Sequence, residues 1–134
     1  MLLDKNLIEK INLFENITKT KVKDLIEKED KLIFILDYGE IIKIIVKKGK
    51  NIKTAENLMH KKIKVVEFNQ DPLKFIKNFI YPIKPLSIDL KENIAGIKVE
   101  DRKSKGLLIG RDGKNLDELN NIAKRYYNLQ VRIL

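Results

Sequence analysis

Leu108-Ile109-Gly110-Arg111-Asp112-Gly113-Lys114-Asn115-Leu116 is the stretch on which the reading of this chain turns. Two glycines bracket a charged pair, and apolar segments with helical character lie on either side. Glycine lets the backbone turn sharply and lets a ligand come close where a Cβ would otherwise stand. A helix starting at Lys114 presents unpaired N–H groups and the positive end of its dipole, a ready anion site. Arg111 and Lys114 add full charges, and Lys103 and Lys105 extend the positive rim upstream. Asp112 repels phosphate, so its expected task is to hydrogen-bond the turn or a base edge. The set suits consecutive phosphates of an extended strand. Taken alone, Gly-x-x-Gly also fits an ordinary turn before an exposed helix. A nucleotide P-loop does not fit, because the spacing is wrong and no Ser or Thr follows Lys114 to reach magnesium.

A partial copy lifts the loop above an ordinary turn. Gly49-Lys50-Asn51 recurs 64 residues later as Gly113-Lys114-Asn115. The same offset pairs Ile44 and Ile45 with Leu108 and Ile109, Ile52 with Leu116, Leu58 with Ile122, and Asp37 with Asp101. Further upstream it pairs Val22 and Ile26 with Leu86 and Leu90. Fixed-period similarity of this kind marks duplicated structural units.

The element pattern repeats too. Asp4–Phe14 carries a helical stripe at Leu7, Ile8, Ile11 and Phe14. Its counterpart opens on Asp71-Pro72, a cap followed by proline at the first helical position, and stops before Pro82. Strands are expected at 21–27 and 32–37 in the first half, and at 86–90 and 94–100 in the second. Short apolar segments at 40–46 and 105–109 lead into the glycine loops. Helices at 50–60 and 114–126 follow, then closing strands at 63–68 and 129–134. The predicted class is α+β, two units in the order α-β-β-α-loop-α-β, each with a three-stranded mixed sheet packed against helices. Asn69-Gln70 marks the expected junction, giving units 1–68 and 69–134.

Composition narrows the chemistry. With no cysteine, thiol chemistry and thiolate metal sites are excluded, and a single histidine argues against a His-based zinc site or a Ser-His-Asp triad. The carboxylates are scattered, no catalytic constellation emerges, and no cofactor motif is present, so the chain reads as a non-enzyme. The net charge of +9 is shared between the halves rather than held in a tail. Distributed positive charge favours a polyanionic partner, although abundant lysine also fits simple compositional bias. No apolar run is long enough to span a bilayer and no leader pattern is visible, which predicts a cytoplasmic protein.

The loop in this element order resembles a KH domain of the prokaryotic type (type II), whose Gly-x-x-Gly loop clamps a nucleic-acid backbone while an adjacent apolar groove accepts about four nucleotides. Two such units back to back resemble the short archaeal NusA-like transcription factors. The matching segments are Leu13-Phe14-Glu15, Lys47–Ile52, Lys64–Phe68, Asp71–Asn78, Ile109–Asn115 and Ala123-Lys124-Arg125-Tyr126-Tyr127, nearly the whole chain. The resemblance implies binding of single-stranded RNA, the nascent transcript, by Gly110, Arg111, Asp112, Gly113, Lys114 and Asn115 with Lys103 and Lys105. It also implies a role in elongation, termination or antitermination. A protein-interaction module on RNA polymerase or the ribosome, with RNA secondary, is the competing expectation. Bacterial relatives also carry a polymerase-binding amino-terminal region and an S1 domain, and functions resting on those parts are not carried over.

One departure is informative. Where the family pattern places glycine at both ends of the loop, the first unit has Val46-Lys47-Lys48-Gly49. A β-branched residue at the point of closest approach weakens the clamp. The first unit is therefore expected to scaffold and to supply charge, with Lys47, Lys48, Gly49 and Lys50 as weaker RNA contacts. The lysine-rich run 43–64 reads either as a solvated face or as an electrostatic rail. His60 reads as a helix-end residue rather than a ligand. Tyr126 and Tyr127 are expected in packing, one of them on the sheet, with base stacking as the alternative. Ile97, Val99, Leu116 and Leu119 are either the groove floor or plain core.

Overall fold

The structure is a computed structural model and describes residues 5–134. The chain divides into two units, the first ending at Asn69 and the second running Gln70–Leu134.

In the first unit, helix α1 (Lys5–Thr18) precedes strands β1 (Val22–Glu27) and β2 (Lys31–Leu36), helices α2 (Ile42–Ile45) and α3 (Lys50–Met59), and strand β3 (Lys62–Glu67). Asp4, the expected start of α1, lies outside the described residues. The sheet order is β1-β2-β3, with β1 antiparallel and β3 parallel to the central β2. Antiparallel neighbours are joined by a short turn, whereas the parallel β2–β3 pair needs a crossover, and α2 and α3 supply it. The alternate residues Leu32, Phe34 and Leu36 of β2 enter a core with Ile11, Phe14, Leu25, Ile44 and Ala55. Phe14 stacks on Phe34, ring centroids 3.9 Å apart and planes within 11°. Ile33 and Ile35 are fully buried as well, so β2 reads as a continuous apolar run.

The second unit repeats the order with helix α4 (Pro72–Ile80), strands β4 (Ser87–Lys91) and β5 (Ile94–Lys98), helices α5 (Arg102–Ile109) and α6 (Lys114–Tyr127), and strand β6 (Gln130–Ile133). Its sheet is β4-β5-β6, antiparallel then parallel. The Asp71 carboxylate caps α4 by accepting from the Leu73 N–H at 3.0 Å, and Pro72 occupies the first turn where no donor is needed. Phe75, Ile76, Phe79 and Ile80 of α4, Ala95 and Ile97 of β5, and Leu119, Ile122 and Ala123 of α6 are buried.

One sequence expectation needs correction. Leu58 and Ile122 share the 64-residue offset but not an environment. Ile122 is 1% exposed and Leu58 57%, because Leu58 lies on the outer face of α3, whose inner face turns Ala55 and Met59 toward the core. Tyr127 packs against a helix, its ring 5.6 Å from that of Phe75 in α4. Burial pushes the Tyr127 phenol well above its ordinary value, with a further contribution from the Asp71 charge.

The duplicate units share one more device. Glu56 in α3 accepts from the Ile63 N–H at the start of β3, 2.9 Å. At the matching helix position, the Asn120 amide bonds the Val131 backbone in both directions, accepting from its N–H at 2.7 Å and donating to its carbonyl at 3.2 Å. Both helices end on a left-handed residue, His60 (φ 56°) and Asn128 (φ 54°). These ends are 68 residues apart, four more than the loops, because α6 has 14 residues and α3 has 10. One added helical turn accounts for the change of offset.

Candidate nucleic-acid interface

Asp101 starts α5 by accepting from the Ser104 N–H at 2.7 Å, and this bond holds its carboxyl below the ordinary carboxylate value. Lys103 and Lys105 project from the exposed surface of α5, whose one buried side chain is Leu108. The helix closes when the Gly110 N–H bonds the Gly106 carbonyl at 2.8 Å. Gly110 then takes φ 76°, ψ 171°, a conformation open essentially to glycine alone. A Cβ there would lie 2.7 Å from Cγ of Asn115, so the site excludes any side chain on two grounds.

The abrupt exit at Gly110 has an electrostatic result. Arg111–Gly113 forms a single 3₁₀ turn in which Asp112 and Gly113 are both left-handed, φ 56° and 73°. The Gly113 N–H bonds the Gly110 carbonyl at 3.2 Å, and the Lys114 N–H bonds the Arg111 carbonyl. Among the described residues no hydrogen bond engages the backbone N–H of Arg111 or Asp112. The side chains of Arg111, Lys114, Lys103 and Lys105 likewise carry no ion pair or hydrogen bond there, and all four residues are exposed. Successive free N–H groups in a turn with a left-handed residue form an anion-binding concavity.

Asn115 was expected among the RNA contacts, and its side chain has a second engagement. Its amide donates to the Leu107 carbonyl at 2.9 Å, tying the first turn of α6 to the end of α5. The motif positions reveal this only in three dimensions, because the bond spans eight residues and depends on the bare Cα of Gly110. Of the groove candidates, Ile97 and Leu119 are buried core, while Val99 and Leu116 are half-buried and remain accessible.

The first-unit loop gives the contrast. Lys48 (φ 53°) and Gly49 (φ 76°, ψ 5°) match Asp112 and Gly113 almost angle for angle. The difference falls at Val46, which stays helical at φ −65°, ψ −22°. The turn therefore continues: the Lys47 N–H bonds the Ile44 carbonyl at 3.2 Å, and the Lys48 N–H bonds the Ile45 carbonyl at 2.9 Å. The two donors left open in the second loop are consumed in the first. Ile42, Ile45 and Val46, three and four positions apart on one face, stay 54–64% exposed. Within the lysine-rich run, Lys43 is paired with Glu40 at 2.9 Å and Lys61 reaches Glu27 at 3.5 Å, whereas Lys47, Lys48 and Lys50 are exposed without an ion pair among the described residues. The hydrogen bond from Lys43, with help from the Lys21 N–H, holds the Glu40 carboxyl below its ordinary value.

An α-β-β-α-α-β unit with a three-stranded mixed sheet and a glycine loop between its last two helices is a KH unit of type II, and this chain carries two in tandem. No protein-family model matches the chain. Curated relatives do. The chain is 33% identical over 123 residues to the "Probable transcription termination protein NusA" of Methanocaldococcus jannaschii, covering 89% of this chain and 67% of that protein. It is 34% identical to the protein of the same name from Methanococcus vannielii, covering 88% and 70%. With the Thermoplasma acidophilum protein of that name it shares 27% identity, covering 94% and 90%. Among solved structures, the crystal structure of APE1850 superposes with a TM-score of 0.75 at 28% identity, covering 98% of this chain and all of that one. The chain belongs to the archaeal NusA-like family.

Proposed function

We propose that the protein binds single-stranded RNA, the nascent transcript, through the second-unit loop and acts in transcription termination or antitermination. The unpaired N–H groups of Arg111 and Asp112, flanked by the free cations Arg111 and Lys114, carry this reading. Gly110 and Gly113 admit the backbone, the N–H groups and cations neutralise phosphates, and Val99 and Leu116 offer apolar surface to bases. Asn115 keeps the loop in shape, and Lys103 and Lys105 widen the positive field. Lys47, Lys48 and Lys50 of the first unit attract the strand without gripping it. The protein acts by binding and not by catalysis, in the cytoplasm, with RNA polymerase as the expected protein partner. In support of the polymerase contact, Ile42, Ile45 and Val46 leave an exposed apolar face that runs into the first-unit loop.

The test is Arg111→Asp. Because Arg111 is exposed and unpaired, the variant keeps its thermal midpoint while affinity for structureless RNA falls by tenfold or more, about 1.4 kcal/mol. Unchanged affinity in the folded variant sinks the loop assignment.

A further inference from the structure

At the far end of α6 from the loop lies a second concavity, about 290 Å³, lined by Asn93, Asn121, Lys124, Asn128 and Gln130, with Asn120 beneath them. Asn120 is committed to the Val131 backbone. The other four amides and the Lys124 ammonium have no hydrogen-bond partner among the described residues, and all five residues are exposed. Asn121 and Lys124 fall three positions apart on one face of α6, and Asn128 is the left-handed residue that caps its end. Asn93 joins them because its carbonyl accepts from the Gln130 N–H at 2.8 Å, bringing the β4–β5 turn against the start of β6. Four uncommitted amides and one cation therefore line a single cleft.

We propose that this cleft is a base-reading site for an adenine of the same RNA strand, an inference that rests on the RNA-binding function proposed above. A carboxamide offers one donor and one acceptor side by side, which matches the N7 acceptor and N6 amino donor of adenine. Lys124 supplies the charge for the attached phosphate. An unpaired base presents the edge that the amides require, whereas a paired base in an RNA helix hides it in a deep, narrow groove. Along α6 the cleft residues Asn121 to Asn128 lie roughly 12–22 Å from Gly113. The base read here is therefore separate from the phosphates held at the loop.

The experiment uses the full chain and fluorescently labelled RNAs: four uridines alone, then the same four extended at either end by four adenosines or by four uridines. The adenosine extension at one end binds about fivefold or more tighter than the uridine extension. The double variant Asn121→Ala, Gln130→Ala abolishes that preference while its affinity for four uridines and its thermal midpoint stay unchanged. A preference that survives in the double variant, or one absent from the parent protein, overturns the proposal. Arg111→Asp in parallel separates the two readings. Loss of four-uridine binding reports on the loop, and loss of adenine preference reports on the cleft.

Discussion

The two glycines of the loop are unequal. At Gly113 a Cβ would meet nothing within 4 Å, so a side chain there bears only the cost of left-handed φ, about 1–2 kcal/mol. At Gly110 a Cβ meets Asn115 at 2.7 Å in a backbone region that L-residues avoid. Gly113→Ala is thus expected to lower stability slightly and retain most RNA affinity. Gly110→Ala is expected to displace Asn115, break its bond to Leu107 and abolish binding. Parallel melting curves and RNA titrations check this ordering, and equal affinities in the two variants contradict it. The sequence displays both glycines alike. Only the packing of Asn115, eight residues along the chain from its acceptor, tells them apart.

At the level of elements, the α6–β6 junction depends on Asn120. Asn120→Ala leaves the Val131 N–H and carbonyl short of partners and is expected to cost about 1–3 kcal/mol, read from denaturant unfolding. The α4–α6 packing gives a pH signature. The Tyr127 phenol is raised by burial, so its contribution to stability is complete below the ordinary value of 10.0 and fades as pH rises past it. Tyr127→Phe has no such group, so its midpoint falls less steeply above pH 10.0 than that of the parent protein. Parallel curves for the two proteins in that range would falsify the assignment. Element types and order were readable from period and punctuation, most boundaries to within a residue or two, because Pro72, Gly110 and the alternating runs mark them. The offset that located the repeat failed after position 56, since an added helical turn carries no punctuation of its own.

For the whole molecule, positive charge is distributed, whereas the proposed grip is local. Replacing Lys47, Lys48 and Lys50 by glutamate is expected to weaken RNA binding several-fold and to flatten its salt dependence, the slope falling by about 0.7 for each phosphate no longer neutralised. Arg111→Asp removes most binding at any salt. Salt titrations of both variants check the division, and a greater loss from the first-loop variant reverses the assigned roles. The net charge of +9 favours a polyanionic partner, or reflects abundant lysine, without naming where a partner is held. The sequence by itself determined two α+β units, the glycine loop and the damaged copy at Val46, because periodicity and the glycine-to-valine difference are local properties. Tertiary structure decided which backbone donors stay open, that Asn115 braces the loop, and that scattered asparagines converge at the end of α6. Those outcomes depend on which groups hydrogen bonding and packing bring together across distances in the chain, and no local pattern records that.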